Sequence, residues 1–188
     1  MNCIAQKEIY VNDNLVPIPE QEFKRELKSN EYAISYNLDT INLNVRLKRE
    51  TVGKISIELR NEIAIALQRQ SGISISDKDR IIINYFPGID KCNNASEPKN
   101  PALVDRYFTY SQAIRKIENV KQFFVYKTVE GTKSYGSKIK WIIDAENLIE
   151  RTFFKLPYPC GSFVIINASG DYTSYKGEYN IDWIIPKL

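Results

Sequence analysis

Two thiols sit where chemistry is conceivable: Cys92, in the run Asp90, Lys91, Cys92, Asn93, and Cys160, held between Pro159 and Gly161. A pair of thiols supports a structural disulfide, two unlinked structural thiols, or a redox-active pair in which a thiolate attacks a disulfide sulfur, and the residues leave all three open. The chain has no histidine, which removes Ser-His-Asp and Cys-His nucleophile pairs, histidine-ligated metals and an imidazole base. Three cysteines exclude a four-cysteine zinc site within one chain. GxGxxG, GxxxxGK[ST] and GxSxG are all absent. Any catalysis must therefore come from carboxylates, thiols, tyrosines or lysines, and no metal or cofactor is expected.

Other groups give weaker signals. Asp90, Asp144, Glu146, Glu150 and Asp182 are candidates for paired carboxylates, but their spacing demands no convergence; Asp144 reads as a helix cap and the others as solvated. Tyr172, Tyr175, Tyr179 and Trp183 form an aromatic-rich ribbon, either a partner-binding face or ordinary packing against a sheet. Asn94 and Asn167 each open an Asn-Ala-Ser sequon, a match that arises easily in an Asn-rich chain.

The elements that must position these groups read in two halves. In the first, residues 20–28 are charged and follow Pro19, a helix start. Ile41, Leu43, Val45 and Leu47 alternate with polar residues at period two, a half-buried strand closed by the turn residues 51–54. Ser56 caps a helix whose face carries Leu59, Ile63, Ala66 and Leu67 and which stops at Gly72. In the second half, residues 80–86 form an apolar, β-branched and aromatic run, a strand buried on both faces. A helix follows from the cap Asn100 and Pro101 to near Asn119, with Leu103, Tyr107, Tyr110, Ile114 and Ile117 on its seam, and then a strand at 122–126. That is a βαβ crossover, which predicts parallel strands. Trp141, Ile142 and Ile143 lead into a short helix capped by Asp144, and residues 162–167 and 172–177 make an antiparallel hairpin.

With 188 residues and 43% apolar content the chain is long enough for one domain with an extension. Its 26 basic and 23 acidic residues leave a net charge of +3 without a basic run, so neither nucleic acid nor an anionic membrane surface is expected as a partner. No stretch is apolar enough to span a membrane. Residues 1–6 read as the tail of an export signal, the other reading being an ordinary cytoplasmic N-terminus, and residues 7–77 read as an α+β extension packed on the domain at 78–188.

The second half resembles the thioredoxin fold, in particular envelope thiol-disulfide oxidoreductases. The approach Ile83, Asn84, Tyr85, Phe86, Pro87, Gly88, Ile89 is similar to the family's strand running into its Cys-x-x-Cys motif, and residues 154–177 to its proline loop and hairpin. The resemblance covers roughly residues 78–180. It implies an α/β class, a thioredoxin-like mixed sheet of about four strands flanked by helices, with a cis bond between Tyr158 and Pro159. It also implies that Cys92 and Cys160 lie near one another as a redox or disulfide pair. Where the family carries its dithiol motif, this chain runs Asp90, Lys91, Cys92, Asn93, with Asp90 in place of the attacking thiol. The expected function is a non-catalytic periplasmic or secreted protein that binds another protein as adaptor, chaperone-like subunit or inhibitor. The alternatives are a divergent oxidoreductase using Cys92 and Cys160, and an immunity protein that neutralises a toxin.

Overall fold

The computed structural model describes residues 6–90 and 101–188, which fall into two units, Met1–Glu50 and Thr51–Leu188.

In the first unit, strands β1 (Lys7–Asn12), β2 (Glu31–Asn37) and β3 (Ile41–Lys48) form a sheet with β3 in the middle, parallel to β1 and antiparallel to β2. The period-two run seen in the sequence is β3, and Val45 and Leu47 are buried as it requires. Its polar face behaves differently from a solvated one. Arg46 is only 5% exposed, because its guanidinium donates to the carbonyls of Phe23 (2.9 Å), Arg25 (2.8 Å) and Glu26 (2.8 Å) and to Glu31 Oε2 (2.8 Å). Those contacts explain why helix α1 (Glu20–Lys24) is shorter than the charged run 20–28. A cationic side chain satisfies carbonyls that another helical turn would otherwise bond.

In the second unit, β4 (Glu50–Lys54), β5 (Arg80–Phe86), β6 (Val120–Tyr126), β7 (Trp141–Ile143), β8 (Ser162–Ile166) and β9 (Asp171–Tyr175) form one sheet in the order β4-β9-β8-β5-β6-β7. β5 and β6 are parallel, β8 is antiparallel to β5, and β9 is antiparallel to β8. The four central strands are thus a βαβ crossover followed by a hairpin, which is the thioredoxin-like arrangement expected. Two edge strands were not anticipated. Residues 51–54, read as a turn, belong to β4 beside β9, and Trp141–Ile143 pairs in parallel with β6 as β7. The second unit begins at Thr51 and includes helix α2 (Ile57–Ser71).

The helices follow their local signals. Ser56 Oγ accepts the Leu59 N–H at 3.2 Å, and Gly72, at φ 76°, stops α2. Helix α3 (Pro101–Ile114) ends before the expected Asn119; Asn119 itself takes φ 56° and turns the chain into β6. Asp144 caps helix α4 (Leu148–Phe153) through its two carboxylate oxygens, which accept the N–H groups of Ile149 and Glu150 at 2.9 Å each. On one face of the sheet Tyr110 and Ile114 of α3 pack with Ile82, Phe124 and Phe163. On the other face Leu67 of α2 and Leu148 and Ile149 of α4 lie over Val125.

Candidate functional site

Two loops meet at the end of the sheet where β5 finishes and β8 starts. Asp90 lies just past β5, and its Oδ2 accepts the backbone N–H of Cys160 at 2.8 Å. Cys160 is disulfide-bonded, and its partner lies outside the described residues. So do Lys91, Cys92 and Asn93, the sequon at Asn94, the cap Asn100 and residues 1–5.

Pro159 departs from expectation. No peptide bond among the described residues is cis, and the bond between Tyr158 and Pro159 is trans. The chain reverses by another route. The Tyr158 N–H donates to Leu156 O at 2.9 Å and the Gly161 N–H to Pro159 O at 2.8 Å, so two tight turns bend it on either side of Pro159. The second is centred on Cys160, whose φ of 66° lies in the left-handed region that costs a non-glycine residue of order 1 kcal/mol. Gly161 follows at φ 142°, and a Cβ there would stand 3.0 Å from the Tyr85 carbonyl, so the loop and the end of β5 are in close contact.

The loop is anchored from below. Tyr158 is 2% exposed, with Lys176 Nζ 5.9 Å above its ring. Ser162 Oγ accepts the Gly177 N–H at 3.2 Å, fixing the start of β8 to the second residue past β9. Tyr85 stacks on Phe154 with centroids 5.1 Å apart, and its buried hydroxyl has no hydrogen-bond partner among the described residues. Burial, reinforced by Glu150 and Asp144, pushes the Tyr85 hydroxyl well above the ordinary phenol range.

Deeper under this end is an amide hub that the sequence reading does not single out. Asn84 Nδ2 donates to the Tyr179 hydroxyl at 2.8 Å, and its Oδ1 accepts from Gln122 Nε2 at 2.7 Å and the Tyr110 hydroxyl at 3.4 Å. Burial raises the Tyr107, Tyr110, Tyr135 and Tyr179 hydroxyls above their ordinary range, so these phenols stay protonated donors. A signal for the hub was present: a lone amide inside an apolar strand buried on both faces must find partners. Arg60, 2% exposed, was also missed; it donates to the carbonyls of Asn167 (3.1 Å) and Asp79 (2.7 Å).

The remaining candidates disperse. Glu150 bonds Lys127 at 2.6 Å, Asp182 bonds Arg106 at 2.6 Å, Glu146 sits at φ 55° on the surface, and Asp144 is occupied as a cap whose carboxyl burial shifts upward. Part of the aromatic ribbon packs inward: Tyr175 stacks on Phe163 with an interplanar angle of 2°, and Tyr179 meets the same ring edge-on at 4.9 Å, whereas Trp183, edge-on to Tyr175, stays 47% exposed. Asn167 Oδ1 accepts from Arg80 Nε at 2.9 Å, so that sequon amide is engaged within the protein. Among the described residues no cluster of three His, Cys, Asp or Glu is arranged to hold a metal, and no helix is long and apolar enough to cross a membrane.

No family model matches this chain, and no curated protein does. Solved structures similar to it include DsbF of Mycobacterium tuberculosis in its mixed oxidised and reduced forms, at 8% identity over 58% of this chain and 78% of that one, with a TM-score of 0.40. A secreted M. tuberculosis disulfide oxidoreductase homologous to Escherichia coli DsbE matches at 13% identity over 59% and 83%, TM-score 0.38. The exposed lipoprotein thioredoxin Etrx1 of Streptococcus pneumoniae matches at 8% identity over 59% and 84%, TM-score 0.40. At these values the likeness carries no argument, and the thioredoxin-like assignment rests on this chain's own strand order and register.

Proposed function

We propose that this chain is a non-catalytic thioredoxin-like protein, periplasmic or secreted, that acts by binding another protein. The observation that carries the reading is the state of Cys160: its sulfur is in a disulfide, and its backbone is tied to Asp90 on a loop rather than placed at the start of a helix. Dithiol exchange needs a thiolate whose pKa is lowered, commonly by a helix N-terminus, and the described helix after β5, Pro101–Ile114, contains no cysteine. The proposed partner of Cys160 is Cys92, the pair closing the proline loop over the end of β5. Such a bond belongs to an oxidising compartment, in keeping with an exported protein.

The same bond favours a second reading. As an oxidant, the disulfide would take two electrons and two protons from a substrate dithiol, leaving two thiols here and a disulfide on the substrate. The two readings separate on the reduction potential, measured by equilibration with glutathione or dithiothreitol, together with insulin reduction and oxidation of a reduced protein substrate. A structural bond gives a potential below about −300 mV and no turnover, whereas a potential between roughly −270 and −120 mV with turnover overturns the non-catalytic reading.

A further inference from the structure

At the opposite end of β6 from the Cys160 loop, a recess of about 210 Å³ opens between the ends of α2 and α3, the start of β6 and residues 138–142. Ile114, Ile139 and Ile142 contribute to an apolar floor, and Arg115, Lys121, Lys138 and Lys140 stand around it; among the described residues no carboxylate lines it. Among the described residues only one of these cations has an ion-pair partner, Lys121, whose Nζ is 3.8 Å from Asp79 Oδ1. Lys140 Nζ donates to the Ser71 carbonyl at 2.5 Å, and Lys138 Nζ sits 4.7 Å over the Phe108 ring, contacts that hold the two ammonium groups without neutralising them.

The recess also has an unpaired backbone edge. The Tyr126 carbonyl accepts from Asp144 on the β7 side of β6, whereas the Asn119 carbonyl and the Lys127 amide bond β5 residues. Backbone groups alternate sides along a strand, so Phe124, Gln122 and Val120 face the β7 side. β7 covers β6 only from Phe124 to Tyr126, and no backbone group among the described residues bonds Gln122 or Val120 there. A donor N–H, an apolar floor and an excess of positive charge therefore converge on one small space.

We infer that this recess binds a small carboxylate with an apolar body, its charge among Arg115, Lys138 and Lys140 and its hydrocarbon over the isoleucine floor. At roughly 30 Å³ per water-sized group, the volume admits about seven such groups, the size of a branched six-carbon acid or of the last apolar residue of a polypeptide. The site is independent of the proposed function and lies at the other end of β6.

The test titrates the full ¹⁵N-labelled chain with 4-methylpentanoate and, separately, with an acetylated tetrapeptide ending in leucine, following amide shifts. Uncharged controls are 4-methylpentanamide and the amidated peptide. Saturable shifts at Val120, Gln122 and residues 138–142 are expected from at least one carboxylate, with its uncharged control at least about tenfold weaker, because the cations are what select the anion. A response to the acid assigns a free small carboxylate; a response to the peptide alone assigns a polypeptide C-terminus. The exposed double substitution Lys138→Glu with Lys140→Glu is expected to weaken binding at least about tenfold, and Lys155→Glu, outside the recess, to leave it unchanged. No saturable shift with either carboxylate, equal binding of the uncharged controls, or shifts confined to the Cys160 loop overturns the inference, and the lysines are then guards of an open sheet edge.

Discussion

The Cys160 N–H donates to Asp90 Oδ2 at 2.8 Å across 70 positions of sequence, tying the loop after β5 to the loop before β8. Asp90 follows β5 closely, and its carboxylate holds a backbone amide. Its role is to fix the left-handed turn at Cys160, since the bond restrains the residue with φ 66°. Asp90→Ala is expected to lower stability by about 1.5 to 3 kcal/mol, the range for a hydrogen bond to a charged group, while Asp90→Asn, which keeps an acceptor, loses less than about 1.5. Urea unfolding of the two variants checks this; equal losses would show that the acceptor is not what matters.

Asn84 gathers three side chains, so its removal strands more than one polar group. Asn84→Leu leaves the Tyr179 hydroxyl and the Gln122 amide without their 2.8 and 2.7 Å partner. Each buried group left unsatisfied costs about 1 to 3 kcal/mol, so the two together predict a loss of at least about 2 kcal/mol. Thermal or urea unfolding of the variant measures it, and a loss below about 1 kcal/mol would mean that water replaces the amide.

How much of this was legible differs by element. The crossover and hairpin were visible because residues 80–86, 101–114 and 162–175 carry unbroken periodicity and local caps, which fix element type and parallel pairing. The edge strands were not: Glu50–Lys54 is five residues with a glycine, and Trp141–Ile143 is three, too short for any pattern to set them apart from turns. The convergence of the loops at Asp90 and Cys160 followed from topology once the strands were placed. The trans bond before Pro159 did not follow, because a loop can reverse through a left-handed residue as well as through a cis proline, and the sequence Pro, Cys, Gly serves both. The burial of Arg46 and Arg60 was not legible, because burial of a guanidinium depends on carbonyls brought from distant segments.

The first unit has its own pH dependence. Glu31 accepts from Arg25 (2.8 Å and 3.0 Å), the Lys28 amide (3.1 Å) and Arg46 (2.8 Å), and these donors hold its carboxyl well below the ordinary 4.5. A depressed folded-state value contributes stability that is present above 4.5 and lost as pH falls toward the folded-state value. Protection of the β3 amides against hydrogen exchange, corrected for the intrinsic rate, is expected to fall below pH 4.5, and Glu31→Gln to flatten that dependence while lowering protection at pH 7. An unchanged acid profile in the variant would assign the effect to another carboxylate.

The disulfide yields the sharpest expectation, because redox conditions switch it without a mutation. If Cys92 is the partner of Cys160, the bond closes a loop of 160 − 92 = 68 positions. The chain-entropy model then gives about 4 kcal/mol of stabilisation, less any strain in the folded state. Cys160→Ser and Cys92→Ser are each expected to lose up to about that amount under oxidising conditions, and their unfolding midpoints should match that of the reduced parent once reductant is added. Cys3→Ser should leave the midpoint unchanged in both conditions. The thiol count in denaturant supplies the independent readout: one free thiol in the native protein before reduction and all three cysteines after it. Two variants that differ, with Cys3→Ser behaving like Cys160→Ser, would place the bond at Cys3 and remove Cys92 from the proposed site.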